Sequence, residues 1–239
     1  MKFTSPLVPG TLKKRYKRFL CDIALDNGAE ITATCPNTGS MLGLTKPGSR
    51  VWLSESDSKT RKYPHTWELI EDDLGNGPTL VGINANRPNA IVAEAIAAGL
   101  IAPLAGFAAL RREVKYGVNS RIDILLEGGD GQNCYVEIKN VHLMRTAGFA
   151  EFPDSKTERG VKHLGELSNM VREGHRAVML YLVQRSDATR FDIARDIDPA
   201  YAAAFAEAQE NGVEMLAYGC QITPEAISLA DPIKITGKS

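Results

Sequence analysis

Up to Asn84 the apolar positions come in short alternating runs, and beyond it they return at helical spacing and in longer blocks. Alternation with period two marks half-buried strands, and here it predicts them over residues 16–25, 30–34, 50–54, 66–72 and 79–83. Turn signals separate these runs at Asp26-Asn27-Gly28, Pro36-Asn37-Thr38-Gly39, Lys46-Pro47-Gly48 and Gly75-Asn76-Gly77-Pro78. Five short strands without a helix predict a small barrel, with an OB-like and an SH3-like form both open.

The pattern changes at Asn86-Arg87-Pro88-Asn89. Asn89 reads as a helix N-cap, Ile91, Val92, Ala95, Ile96 and Leu100 follow helical spacing, and Gly99 with Pro103 closes the run. Strands are expected over 110–116, 119–127 and 134–141, the last two joined by a Gly-Gly-Asp-Gly-Gln turn. A helix over 157–172, a buried strand over 177–184, a helix over 199–209 and a strand over 213–221 follow. The order α, three β, α, β, α, β describes an α/β (α+β) domain over 86–239 behind a β-rich domain over 1–85.

The 239 residues suffice for one large domain or two small ones. Apolar stretches such as 90–110 are interrupted by Glu94, glycines and Pro103, so none reaches the ~20 residues of a membrane span. The first nine residues lack the features of a secretory signal, which makes the cytoplasm the expected compartment. Cys21, Cys35, Cys134 and Cys220 are too dispersed for a zinc template or a disulfide framework. Charge is uneven: residues 1–88 carry 12 basic and 9 acidic groups, a net of +3, while the rest carry 16 and 20, a net of −4. The basic excess sits in front. Lys13, Lys14, Arg15, Lys17 and Arg18 surround Tyr16, Phe19 follows, and Arg61, Lys62, Tyr63 and His65 add a second segment. Cations release counterions from phosphate and aromatic rings stack on bases, so these segments suit sequence-tolerant nucleic-acid binding. Alternation splits the first cluster, leaving Tyr16 open to a core role. The 36–41 block lacks a phosphate-loop pattern and reads only as a turn.

Alternation also places Ile122, Ile124 and Leu126 on one face of their strand and Arg121, Asp123, Leu125 and Glu127 on the other. In the next strand Tyr135, Glu137, Lys139 and Val141 share a face. A symmetric hairpin about Asp130 pairs positions whose numbers sum to about 260, which sets Asp123 opposite Glu137 and Arg121 opposite Lys139. Two carboxylates so placed repel unless something neutralises them. A divalent cation with oxygen ligands and several waters, Mg²⁺ or Mn²⁺, does so and activates water for attack on phosphorus. An ordinary solvated face, with Asp123 paired to Lys139 or Arg121 and Glu137 to Arg121, fits the spacing equally well.

Asp123 followed by Glu137-Ile138-Lys139 on the next strand resembles the PD-(D/E)xK nuclease pattern, with Ile in place of the usual Pro before Asp123. Longer blocks are more specific: Arg15-Tyr16-Lys17-Arg18-Phe19-Leu20, Cys35-Pro36-Asn37-Thr38-Gly39-Ser40-Met41, Arg61-Lys62-Tyr63-Pro64-His65-Thr66-Trp67, Glu113-Val114-Lys115-Tyr116-Gly117, Phe152-Pro153-Asp154 and Arg159-Gly160-Val161-Lys162-His163-Leu164. Together they resemble the sugar fermentation stimulation protein A (SfsA) family. The resemblance implies an N-terminal OB-type domain, a restriction-endonuclease-like domain with a mixed central sheet, sequence-nonspecific DNA binding and a regulatory role in maltose metabolism. It implies Asp123 and Glu137 as metal ligands and Lys139 as the catalytic lysine, with Glu94 of the first helix as a fourth member. Lys162 and His163, on a helix face apart from the stripe Val161, Leu164, Leu167 and Val171, are candidate phosphate contacts beside Lys13, Arg15, Lys17, Arg18, Arg61, Lys62 and Arg121. A DNA-cleaving enzyme, a non-catalytic DNA-binding regulator and a protein-interaction role all remain readings of this sequence, and a homodimer is compatible with each.

Overall fold

The computed structural model describes residues 1–117, 120–128 and 131–237. Asn119 and Asp130, where a strand start and the hairpin centre were expected, lie outside them. The first sheet comprises β1 (Val8–Tyr16), β2 (Leu20–Leu25), β3 (Glu30–Thr34), β4 (Arg50–Glu55), β5 (His65–Asp72) and β6 (Thr79–Gly82), in the order β3-β2-β1-β4-β5-β6. A parallel pairing of Thr34 with Thr66 joins β3 to β5 and closes the first five strands into a barrel. Alternating inward residues, among them Leu12, Ile23, Ala33, Val51, Leu53, Trp67 and Val81, fill it. Gly10 is required where β1 meets β2, because a Cβ there would approach Ile23 to 2.7 Å.

Residues 16–25, expected as one strand, are two. The chain reverses at Lys17 and Arg18, whose φ values are +49° and +65°. These are left-handed positions without a glycine to announce them. Tyr16 stays outside the barrel core, half-buried, its hydroxyl donating to Asp22 Oδ1 at 2.9 Å.

The second unit holds α1 (Pro88–Ala97), β7 (Ala109–Tyr116), β8 (Ser120–Glu127), β9 (Cys134–Val141), β10 (Leu143–Thr146), β11 (Phe149–Phe152) and α2 (Glu158–Arg172). After these come β12 (Arg176–Val183), β13 (Arg190–Ile193), α3 (Pro199–Glu210), β14 (Glu214–Ile222), β15 (Ile227–Pro232) and β16 (Lys234–Ile235). The central sheet runs β15-β14-β12-β9-β8-β7 and is mixed, with parallel pairing only where β12 meets β9 and β14. A smaller sheet, β10-β11-β13-β16, has no counterpart in the sequence reading. On one face of the central sheet, α2 and α3 bury Leu164, Leu167 and Phe205 against Met179, Tyr181 and Val183. On the other, Ile91 and Val92 of α1 and Leu69 of the barrel pack on Ile124, Val136 and Leu180.

Both units contribute to that second core, and the N-terminal residues deepen the union. Phe3 N–H donates to Glu225 O, and Ile227 N–H to Met1 O, each at 3.0 Å. Arg185, fully buried, joins Asp72 of the barrel and Asp187 of the second unit at 2.9 Å each. The four cysteines are free and buried, two in the barrel and two in the central sheet. No helix among the described residues is long and apolar enough to cross a membrane.

Candidate metal and nucleic-acid site

Strands β8 and β9 pair as Leu126 with Cys134, Leu125 with Tyr135 and Ile124 with Val136. Each pair sums to 260, the expected register. The pairing ends there, because Asp123 replaces the next strand contact with its side chain: Ile138 N–H donates to Asp123 Oδ2 at 2.8 Å, and Asn89 Nδ2 to Asp123 Oδ1 at 2.8 Å. Beyond this point no further pairs join β8 to β9 among the described residues. Ile122, expected beside Ile124 and Leu126, packs instead in the core under α2 with Leu125.

Glu137 faces α2 and is only 3% exposed. Its Oε1 accepts from Lys139 Nζ at 2.8 Å and from His163 Nδ1 in a short contact. Arg159 Nε donates to His163 Nε2 at 3.2 Å. A guanidinium has donors only, so Nε2 is the acceptor, the imidazole proton sits on Nδ1, and Nδ1–H donates to Glu137. Glu137 Oε2, also buried, has no hydrogen-bond partner. Burial pushes Glu137 up, but the charge of Lys139 and the hydrogen bonds from His163 and Lys139 outweigh it and hold the carboxyl below its ordinary value. Asp123 goes the other way: burial first, then the charge of Glu137, raise it to about 6. This is a carboxylate pair short of positive charge.

Asp123 and Glu137 offer hard oxygen donors, one of them bare, which fits Mg²⁺ or Mn²⁺ with water completing the shell. Among the described residues no group of three or more His, Cys, Asp and Glu has metal-binding geometry.

The structure brings Asp123, Glu137, Lys139 and His163 together and leaves Glu94 out. Glu94 is 63% exposed and pairs with the Met1 amine at 3.0 Å. Helix α1 begins from Arg87 as N-cap rather than Asn89, its buried stripe is Ile91, Val92 and Ala95, and Glu94 lies off that stripe, about 140° around the helix from Asn89. Asn89 occupies the inward position, donating to Asp123 and, at 3.1 Å, to Glu113. The phase of α2 also differs from expectation. Gly160, His163, Leu164, Leu167 and Met170 form its buried face, leaving Lys162 exposed. His163 therefore supports Glu137 and is not a surface contact.

The basic segments are only partly free. Arg15 donates to the carbonyls of Arg18, Asn37, Gly39 and Ser40 at 2.8 to 3.3 Å, and Arg18 Nε to Thr38 O at 2.8 Å. These two cations hold the 36–41 loop, so Arg15 is a structural residue rather than an open phosphate contact. Lys13 pairs with Glu30 at 2.8 Å, Arg61 donates to Thr34 and Thr66, and Lys62 lies over Tyr63. Lys17 and Phe19 project from the turn, Phe19 being 51% exposed. Arg121 is exposed at the β7–β8 end of the site.

The 36–41 loop has a purpose the sequence did not disclose. Met41 N–H donates to Asp154 Oδ2 and Ser40 Oγ to Asp154 O, both at 2.8 Å, while His142 Nε2 lies 3.3 Å from Asp154 Oδ2. Asp154 lies between β11 and α2, the helix carrying Arg159 and His163, so the loop ties the barrel to the segment that enters the site. Of the groups the sequence reading missed, Arg159 had a visible signal in its i,i+4 spacing to His163, and Asn89 had none.

A closed five-stranded barrel joined to a mixed-sheet α/β domain with a buried carboxylate pair defines an OB domain fused to a restriction-endonuclease-like domain. The chain belongs to the sugar fermentation stimulation protein (SfsA) family: residues 14–83 match the SfsA N-terminal OB domain, and residues 86–226 the sugar fermentation stimulation protein RE domain. It is 56% identical over 237 residues to a sugar fermentation stimulation protein homolog of Azorhizobium caulinodans, covering 99% of this chain and 100% of that one. A homolog of Sinorhizobium medicae is 58% identical over 235 residues, covering 98% and 97%. Among solved structures, that of Pyrococcus furiosus SfsA in complex with Ca²⁺ superposes with a TM-score of 0.86 at 26% identity, covering 98% of this chain and 97% of that one.

Proposed function

We propose that this protein is a Mg²⁺- or Mn²⁺-dependent phosphodiesterase acting on DNA without sequence selectivity, in the cytoplasm. The observation that carries the reading is the bare, buried Oε2 of Glu137 together with Asp123, whose carboxyl burial and then the Glu137 charge raise to about 6. The Ca²⁺ of the Pyrococcus furiosus relative supports a divalent-cation site. Asp123 and Glu137 hold the metal, which when bound lowers the pKa of water and stabilises charge on phosphorus. Lys139, 2.8 Å from Glu137, keeps that carboxylate ionised and presents an ammonium to the attacking water or the developing charge. His163, steadied by Arg159, fixes the orientation of Glu137. Lys17, Arg18 and Phe19 of the barrel turn, with Arg121 and Lys162, provide cations and a stacking ring for the strand.

A second reading, a DNA-binding regulator of sugar (maltose) metabolism without cleavage, is favoured by the engagement of the Lys139 ammonium with Glu137. Purified protein is incubated with single-stranded and duplex DNA in Mg²⁺, Mn²⁺ or EDTA, beside Asp123→Ala and Lys139→Ala, with binding followed in parallel. Metal-dependent cutting lost in both variants, with binding retained, is expected. Binding without cutting in any metal supports the second reading.

A further inference from the structure

At one point the β7–β8 ribbon turns over, and the residue that turns it carries an acid the site described above does not use. Arg112 pairs with Ile124 and Val114 with Ile122, so Glu113 falls across from Asp123. On one side of this point Leu110 and Ile124 pack in the core under α1, and on the other Val114 and Ile122 pack in the core under α2. Residues two apart on a regular strand share a face, but here both strands change face together at Glu113 and Asp123. In β7 the change falls at Glu113, whose φ of +55° is left-handed. Glycine adopts that backbone freely and a side chain disfavours it, yet the position holds a glutamate.

Asn89 shows where that glutamate is held. Its Nδ2 donates to Asp123 Oδ1 at 2.8 Å and to Glu113 Oε1 at 3.1 Å. Two oxygens on one nitrogen at these distances lie no more than 5.9 Å apart. An amide donates hydrogen bonds without cancelling charge, and among the described residues neither Glu113 nor Asp123 forms an ion pair. The third carboxylate, Glu137, has Lys139 as its cation but leaves Oε2 without a partner in a side chain only 3% exposed. That bare oxygen is an independent sign of a ligand, because a buried acceptor left unpaired is costly. Glu113 differs from the other two carboxylates in being exposed, so it stands on the solvent side of the pair.

We propose that Glu113 is a third carboxylate of the divalent-cation site, held beside Asp123 by Asn89, and that it accepts hydrogen bonds from the waters completing the shell of the ion. The proposal rests on the reading of Asp123 and Glu137 as metal ligands, and adds the group that orients the water on the solvent side. Mg²⁺ bound by one or two carboxylates keeps several of its waters, and groups that hold a metal's ligands in orientation set affinity as well as geometry. The left-handed backbone at Glu113 lowers stability, as is common where a residue is retained for what it binds.

The test uses the full chain, with Mn²⁺ as the probe in titration calorimetry and thermal unfolding in EDTA alongside. Glu113→Gln keeps an acceptor for Asn89 and removes only the charge. It is expected to weaken Mn²⁺ binding about tenfold without lowering the unfolding temperature. Glu113→Gly removes the carboxylate and the backbone strain together, and is expected to weaken Mn²⁺ binding at least as much while unfolding about 1 to 4 °C higher. Weaker binding in a more stable protein is a combination that a merely structural glutamate does not give. Glu127→Gln removes the same charge farther along β8, and a Glu113→Gln protein that binds Mn²⁺ no more weakly than this control overturns the assignment. A lower unfolding temperature in both Glu113 variants also overturns it, since a loosened ribbon then accounts for the weaker binding. If the unsubstituted protein cuts DNA while Glu113→Gln binds Mn²⁺ like the control, the role of Glu113 alone fails. If it cuts nothing while the Mn²⁺ defect appears, the phosphodiesterase reading fails and Glu113 stands. Absence of Mn²⁺ binding by the unsubstituted protein overturns both.

Discussion

A carboxylate as deeply buried as Glu137 keeps its charge only if donors surround it, and here one oxygen receives all of them while the other receives none. His163 sets that asymmetry, since its Nδ1–H fixes which oxygen is used. Groups that orient a metal ligand in this way affect metal affinity by about 10- to 100-fold. His163→Leu is expected to weaken Mn²⁺ binding by that factor in titration calorimetry, while His163→Gln, which keeps a donor, recovers part of it; equal affinity in His163→Leu would remove the orienting role. Asp123, Glu137 and Lys139 were legible because strand alternation and register depend only on sequence spacing. His163 was placed on the wrong face because the phase of α2 differs from the expected stripe, whereas Glu94 came from the resemblance alone and lies off the apolar stripe of α1. A helix's phase is set by where it starts and what it packs on, and an error of one or two residues turns a side chain through more than a quadrant.

At the level of the element, register and order were legible while the smallest strands were not. Strand β16 has two residues and β10, β11 and β13 have four each, too few for a period to emerge. The Lys17-Arg18 turn was hidden because nothing in its composition marks a left-handed backbone. The long helices are better defined, and Asp198 anchors both. Its Oδ1 accepts from Tyr201 N–H at 3.0 Å as the N-cap of α3, and its Oδ2 accepts at 2.8 Å from the N–H of Thr157, itself the N-cap of α2. Loss of a cap costs about 1 kcal/mol, and stranding a buried donor costs a further 1 to 3 kcal/mol, roughly. Asp198→Ala is therefore expected to destabilise the protein by about 2 to 4 kcal/mol in urea unfolding, and Asp198→Asn by less. A value near zero for the alanine variant would separate the two helix starts.

The whole molecule was foreseen as two domains, but not as two domains that share a core and a clasp. Nothing in the 36–41 block identifies Asp154 as its partner, since the two are distant in sequence and the bonds use backbone groups. The clasp has an acid signature. Burial pushes Asp154 up, but the hydrogen bond and charge of His142, with the Met41 N–H and Ser155, outweigh it and bring the carboxyl from 3.8 to about 2. A carboxyl depressed in the folded state contributes stability above its unfolded value and loses it as pH falls through the folded one. Asp154→Ala is accordingly expected to cost roughly 2 kcal/mol at pH 7, the gap narrowing below pH 4 and closing near pH 2. A gap independent of pH would show that the carboxylate's charge is not what fastens the barrel to α2.

The four buried cysteines give this architecture an internal clock. Burial pushes every thiol upward, Cys134 and Cys220 to about 12, and only a thiolate attacks an alkylating reagent at a useful rate. In the native protein the thiols are thus silent, and labelling reports the moments when the surrounding structure opens. Cys21 and Cys35 time the barrel, while Cys134 and Cys220 time the central sheet, on adjoining elements of the same chain. Coincident labelling at all four sites is the mark of a molecule that opens as one body, and staggered labelling that of two domains breathing on either side of the clasp.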